Sequence, residues 1–138
     1  MKPDRDILVT PQPRIEQLTR CLLVKDPHAT SILTGRKLWE IRGSATRIRG
    51  RVGIAKSGTG MIFGSVEVVG SREVCLDELL TSPNLPPDEH EMFARIGQVY
   101  TRPHAWILKD AVLFDTPARY THPQGAVIWV DLKKASEQ

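Results

Sequence analysis

The hydrophobic positions of this chain fall in short blocks, and each block carries the period of one kind of element. Cys21-Leu22-Leu23-Val24 is an uninterrupted apolar run of strand length, which predicts a buried strand. Asp26-Pro27 then opens a helix over 27–34, with Asp as a cap for free amides and Pro suited to the first helical position. Ala29, Ile32 and Leu33 give that helix one apolar face, and Gly35 stands where a helix commonly ends. Residues 38–42 alternate as a strand, with Trp39 and Ile41 on one face and Glu40 and Arg42 on the other. Val52, Ile54 and Ala55 mark a further strand, 57–60 a tight loop, and 61–69 a longer strand. Short helices are expected over 76–80 and 88–96, on either side of a proline-rich loop. Two more strands, 104–108 and 126–132, are rich in Trp, Ile and Val. A long loop over 115–125, punctuated by Pro117 and Pro123, joins them. Many short strands with few helices predict an α+β fold, a small and partly closed mixed β-barrel with flanking short helices.

The blocks also divide the chain. Residues 1–20 are polar, carry Pro3, Pro11 and Pro13, and read as an extended N-terminal arm. Residues 21–133 form one domain, and 134–138 a short tail. A chain of 138 residues has room for one hydrophobic core. No apolar run approaches the roughly 20 residues that span a bilayer, and the first 20 lack the apolar centre of a secretory signal. Cys21 and Cys75 lie far apart and form no CxxC pair. Both are expected as small hydrophobes in a core, in reducing cytoplasm.

Charge sharpens this picture through its distribution. The net charge is only +3, but seven cations stand between Arg36 and Lys56 against the single acid Glu40. Residues 73–91 carry six acids. This segregation predicts a local basic surface of the kind that meets phosphates.

The candidate chemistry centres on Gly-Arg-Lys-Leu-Trp-Glu-Ile-Arg over 35–42, a GxKxxExR pattern at a helix-to-strand corner. Lys37 offers a compact cation and Arg42 a planar fork suited to phosphate or carboxylate. Glu40 can pair with either, so the same residues also read as a charge network that merely holds the corner. Ser57 and Thr59, in a Gly-containing turn beside Lys56, could hold a phosphate or simply make a hairpin. Trp39 and Trp106 are either stacking platforms or core residues, and Trp129 is expected in the core. Lys25 and His28 flank the corner, and His28 reads equally as a ligand contact or an exposed helix residue. The four histidines show no metal-ligand spacing, so no metal is expected. No nucleophile elbow, Walker or dinucleotide motif is present, so no cofactor is expected either.

The GxKxxExR octapeptide resembles the signature of the ASCH family, relatives of PUA domains. Two further blocks agree. Arg102-Pro103-His104-Ala105-Trp106-Ile107-Leu108 is similar to the family's aromatic strand, with His104 where Tyr is common. Residues 122–129, His-Pro-Gln-Gly-Ala-Val-Ile-Trp, are similar to its closing strand. The resemblance covers roughly 21–132 and implies a PUA-like barrel whose signature corner lines a central basic cleft. It implies RNA, a nucleotide or a modified nucleoside as partner, with no membrane. The residues so placed are Lys37, Glu40, Arg42, Trp39, Lys25, His28, Lys56, Ser57, Thr59 and His104.

The alternative is a hydrolase. Some family members are similar to amidohydrolases that deacetylate acetylated cytidine, using the signature Lys, a Thr and a distant carboxylate; others are ribonucleases. Here Glu40 stands at the Thr position, so Glu40 would have to act as general base on water, with Lys37 stabilising the oxyanion. A third reading is an interaction domain of the kind found in the transcriptional coactivator that gives the family its name. For the binder, removing Lys37 and Arg42 together is expected to weaken RNA binding, with a steep salt dependence and little change in melting temperature.

Overall fold

The apolar run at 21–24 does not alternate because its strand is covered on both faces. In the computed structural model, which describes residues 15–133, β1 (Arg20–Val24) sends Leu22 and Val24 into one apolar cluster. Cys21 and Leu23 enter a second cluster on the opposite face. A strand buried on both sides requires apolar residues at successive positions.

β1 runs parallel to β3 (Gly50–Lys56) and antiparallel to the short β6 (Trp129–Asp131). β3 pairs with β4 (Met61–Glu73), β4 with β5 (His104–Arg119), and β5 with β2 (Trp39–Arg42), all antiparallel. The six strands form one mixed sheet in the order β2-β5-β4-β3-β1-β6. The sheet is strongly curled. Trp106 of β5 stacks on Trp129 of β6 with ring centroids 5.7 Å apart, although three strands separate them in the sheet. A flat sheet would hold those strands about 19 Å apart. The expected mixed barrel with short helices is therefore a half-barrel, open along a seam between β2 and the β1–β6 pair.

α1 (His28–Leu33) fills the curl with Ala29, Ile32 and Leu33, against Val52, Ile54, Val66 and Leu108. The cap differs in detail from expectation. Pro27 is the capping residue itself, and the Asp26 carboxylate accepts from the Thr30 N–H at 2.9 Å, one turn on. Gly35 ends the helix at φ +81°, where a side chain is disfavoured. The next two amides, of Arg36 and Lys37, both donate to Ser31 O, at 2.9 and 3.0 Å. That turn fixes the start of the signature strand. α2 (Leu76–Thr81) and α3 (Pro87–Ile96) cover the outer face of β2 and β5, over Trp39, Val74 and Ala105.

Four expectations change. The closing strand is only Trp129–Asp131, so residues 126–128 of the strand expected over 126–132 are loop. β5 continues to Arg119, so residues 115–119 are strand and not loop. β2 pairs in register with residues 104–107, Leu108 N–H donates to Leu38 O just beyond, and among the described residues no strand pairs with that edge of β5 further on. Pro117, which has no N–H to give a neighbour, is tolerated at such an edge. Cys75 is exposed, because it caps the start of α2, its N–H donating to Glu78 at 3.2 Å. Trp129 is half-buried, packed against the core through its stack on Trp106. Cys21 is buried as expected, and burial pushes its thiol up to about 12. Residues 1–14 of the expected arm and the tail at 134–138 lie outside the described residues; Leu18 is buried in the second cluster. Among the described residues no helix is long and apolar enough to cross a membrane.

Candidate functional site

Strand alternation decides which side chains reach the seam. Glu40 pairs with Trp106 in register and Arg42 with His104, so Glu40 and Arg42 share the inner face of the curl with Trp106. Trp39, one residue off, points the opposite way into the third cluster under α2 and α3. The seam opens there into a cleft of about 400 Å³.

Its floor is a buried chain of charges. Lys37 is only 2% exposed. Its Nζ donates to both Glu89 carboxylate oxygens at 2.8 Å, lies 3.1 Å from His28 Nδ1, and is 3.5 Å from Glu40 Oε1. Glu40 Oε2 in turn accepts from Arg42 Nε at 2.7 Å. Arg42 Nη2 donates across the seam to Leu23 O of β1 at 3.1 Å, and the guanidinium lies 5.4 Å from the Trp106 ring centre. Arg42 thus laces the two edges of the half-barrel together. Two cations meet two carboxylates, so the floor is balanced in formal charge. The three ammonium protons of Lys37 face the carboxylates and the imidazole. His28 Nδ1 also lies 3.3 Å from Glu89 Oε2, and it can accept from Lys37 or, when protonated, donate to Glu89, but not both.

Burial pushes the Glu89 carboxyl up, but the hydrogen bond from His28 and the charge of Lys37 outweigh it and hold the group below the usual carboxylate range. Glu89 is therefore ionised at neutral pH, in keeping with a buried pair rather than a neutral acid.

Of the residues expected at the site, Lys25, His28, Lys37, Glu40, Arg42 and Ser57 line this one cleft. The other four stand elsewhere. Trp39 is buried, with the Arg72 guanidinium 5.1 Å from its ring centre. Lys56 pairs with Asp26 at 3.0 Å and lies 4.3 Å from the Phe63 ring centre. Thr59 serves its own turn, donating to Lys56 O at 2.7 Å. His104 sits at the end of β5 with Nδ1 2.9 Å from Arg102 O. Other cations of the basic segment are also engaged outside the cleft: Arg49 donates to Thr46 O and Ile48 O, and Arg51 to Ser65 Oγ and Asp110 O.

Sequence reading missed Glu89, Met92 and Phe93 of α3, and Val99, Tyr100 and Val127 of the flanking loops. The signal for Glu89 was present. It lies three, four and seven residues before Met92, Phe93 and Ile96, so an acid occupies the apolar face of its helix. Among the described residues no group of three or more His, Cys, Asp or Glu side chains is placed to hold a metal ion.

Comparison with known proteins agrees with this architecture. The model of the ASCH domain matches residues 22–117. The fold is similar to crystal structures of ASCH from Zymomonas mobilis. A tyrosine-to-phenylalanine mutant of that protein aligns with a TM-score of 0.65 and 15% identity, over 86% of this chain and 93% of that one. The unmutated protein gives 0.63 and 13%, over 86% and 90%. No curated protein matches the sequence.

Proposed function

This chain belongs to the ASCH domain family, whose fold is PUA-like, and from that premise we propose that it binds RNA by taking one nucleotide into the cleft. The observation that carries this reading is the charge-balanced floor. A site built for phosphate alone keeps its cations unpaired; here Lys37 is committed to Glu89 and Glu40. What the floor offers a ligand is a guanidinium edge on Arg42 beside the carboxylates of Glu40 and Glu89. That mixture of donors and acceptors suits the edge of a nucleobase, where specificity resides. Phosphates fall to the rim, where Lys25 is exposed. The cleft volume of about 400 Å³ lies in the range of small-ligand sites and fits one nucleoside, not a duplex.

Titration with short single-stranded RNAs and a panel of modified nucleosides, across a salt series, tests this. Saturable binding is expected, with a salt slope corresponding to one or two phosphate contacts, about −0.7 each. Failure to bind any RNA or nucleoside would refute it. The paired floor revises the steep slope expected from the basic segment.

A hydrolase remains the second reading, favoured by one observation: Glu40 and Glu89 share the buried Lys37 at the cleft wall. Glu40 would take a proton from water as it attacks an amide or ester carbonyl of the bound group, and the leaving group would carry the proton away. Mass spectrometry of the same incubations would show product. Glu40→Gln would then lower turnover by roughly two to four orders of magnitude with binding retained. In a pure binder the same change alters affinity by about 1–2 kcal/mol, and no product forms.

A further inference from the structure

We propose that Tyr100 and Val127, on loops at opposite edges of the seam, grip a planar heteroaromatic ring above the cleft floor, and that Tyr100 thereby determines specificity for flat bases. The inference rests on the RNA-binding reading and names the part of the nucleotide that the cleft takes.

The first support is an excess of exposed apolar surface at the rim. Among the described residues eight large hydrophobic side chains are exposed; three of them, Val99, Tyr100 and Val127, line the cleft, and Ile96 and Ile128 lie close to these in sequence. Of the three, Val127 is 76% exposed. Folding gains nothing from leaving them in water, and clustered apolar exposure marks a contact surface.

The second support is the way the chain holds these residues in place. Tyr100 lies against the backbone of Gly43, which directly follows β2: a Cβ at position 43 would stand 2.7 Å from Tyr100 Cδ1. Only glycine permits that approach. The Gln98 side-chain amide braces the same loop, donating to Tyr100 O and Thr101 O, both at 3.1 Å. On the other edge, Ile128 O accepts from Leu23 N at 2.8 Å, which fastens the loop carrying Val127 to β1. Arg42 crosses between these edges to Leu23 O. A ring entering between the two loops therefore has the floor beneath it.

The third support is the chemistry of the floor. An aliphatic group seated there would cover the lone pairs that Glu40 and Glu89 keep beyond their ion pairs, and the remaining N–H groups of Arg42, without offering them hydrogen bonds, which is unfavourable. A flat ring with N–H and C=O groups on its edge satisfies them, while its faces meet Tyr100 and Val127. Base–aromatic stacking is tolerant of sequence, so the clamp selects flatness and leaves base identity to the floor.

The test uses the full chain and single-stranded RNA pentamers with 2-aminopurine at the centre, whose fluorescence falls when the base stacks. The wild type is expected to bind and quench. Tyr100→Phe should retain both. Tyr100→Ala should lose the quench and weaken binding about 10- to 100-fold, the usual effect of losing one stacking partner. Gly43→Ala should act in the same direction, because it displaces the Tyr100 ring without itself supplying a ligand contact. Val127→Asp should weaken binding from the other side, and Leu113→Ala, an exposed apolar residue away from the cleft, should change nothing. If the wild type binds no RNA, the functional reading falls and the clamp with it. If it binds without quenching, or if Tyr100→Ala and Val127→Asp bind and quench as the wild type does, the clamp alone is overturned.

Discussion

Glu78 and Glu89 occupy matching places and lead different lives. Each lies in the first turn of its helix, Glu78 in α2 and Glu89 in α3, and each accepts hydrogen bonds from a cation. Arg72 Nη2 approaches Glu78 at 2.6 Å and Lys37 Nζ approaches Glu89 at 2.8 Å. Both carboxyls are held below the usual carboxylate range. The difference is water. The Arg72 and Glu78 side chains are 50% and 34% exposed, whereas Lys37 and Glu89 are 2% and 6% exposed. In water a pair of this kind exchanges solvation for contact at little net gain. Under the cleft both ions lose their hydration, and their attraction only repays that loss. A well-packed apolar pair could occupy the same space at no loss of stability. Distance alone therefore says nothing about what an ion pair is for. Burial at a cleft wall, where stability does not require charge, is the property on which the ligand-facing role proposed above rests.

The largest effect should come from emptying the buried side of this comparison. Lys37→Met leaves Glu40 and Glu89 facing each other in a dry site, and is expected to destabilise the fold by about 3–5 kcal/mol. Urea denaturation measures it. The same double-cation removal that sequence reasoning expected to spare the melting temperature should thus lower it strongly, because Lys37 is a buried residue. Adding Glu89→Leu to Lys37→Met should restore more than half of the loss. If Lys37→Met alone is tolerated within about 1 kcal/mol, the floor is wetter than its burial implies.

Glu89→Gln should have the next largest effect, about 2–3 kcal/mol, since it keeps the shape but leaves Lys37 with only the more distant carboxylate of Glu40. It also carries a pH signature. The folded carboxyl titrates below its ordinary value of 4.5. Its contribution is therefore fully present above that value and is lost as pH falls through the lower folded value. Asp26, Glu73 and Glu78 are shifted the same way, so the acid limb of the wild type is shared. The difference between wild type and Glu89→Gln reports on the Glu89 carboxyl. It should be constant near neutral pH and shrink below about pH 4.5. A difference that stays flat down to pH 3 would show that Glu89 has no depressed titration.

What the sequence made legible follows the range of the forces involved. The corner at 35–42 was readable because every determinant is local: a glycine past a helix end, then strand alternation that sends Glu40 and Arg42 to one face. The same alternation sends Trp39 to the other face, but which face met the cleft depended on helices α2 and α3, forty residues on. The depth of Lys37 was unreadable for the same reason, since its partner Glu89 is 52 residues away. The extension of β5 was hidden because Asp110, Asp115 and Pro117 carry turn chemistry, while their strand depends on β4 on one side and the absence of β2 on the other. Tyr100 left no periodic trace, as it sits in a loop and its place is set by the missing side chain of Gly43.

The smallest expected effect completes the comparison. Glu78→Gln is the same chemical change as Glu89→Gln, made in the partner helix. The amide can still accept from the Cys75 N–H, which Glu78 holds at 3.2 Å, so the start of α2 keeps its cap. Arg72 keeps its place beside the Trp39 ring, 5.1 Å from its centre. Only the charge of an exposed pair is removed, and the loss should stay under about 1 kcal/mol. It should shrink further in 0.5 M salt, where the Debye length falls to roughly 4 Å. The Glu89→Gln loss should persist in the same salt, because mobile ions do not enter a dry pair. Equal losses at the two positions, or equal sensitivity to salt, would remove burial as the property that separates them, and with it the case that the charges under the cleft are held for a ligand.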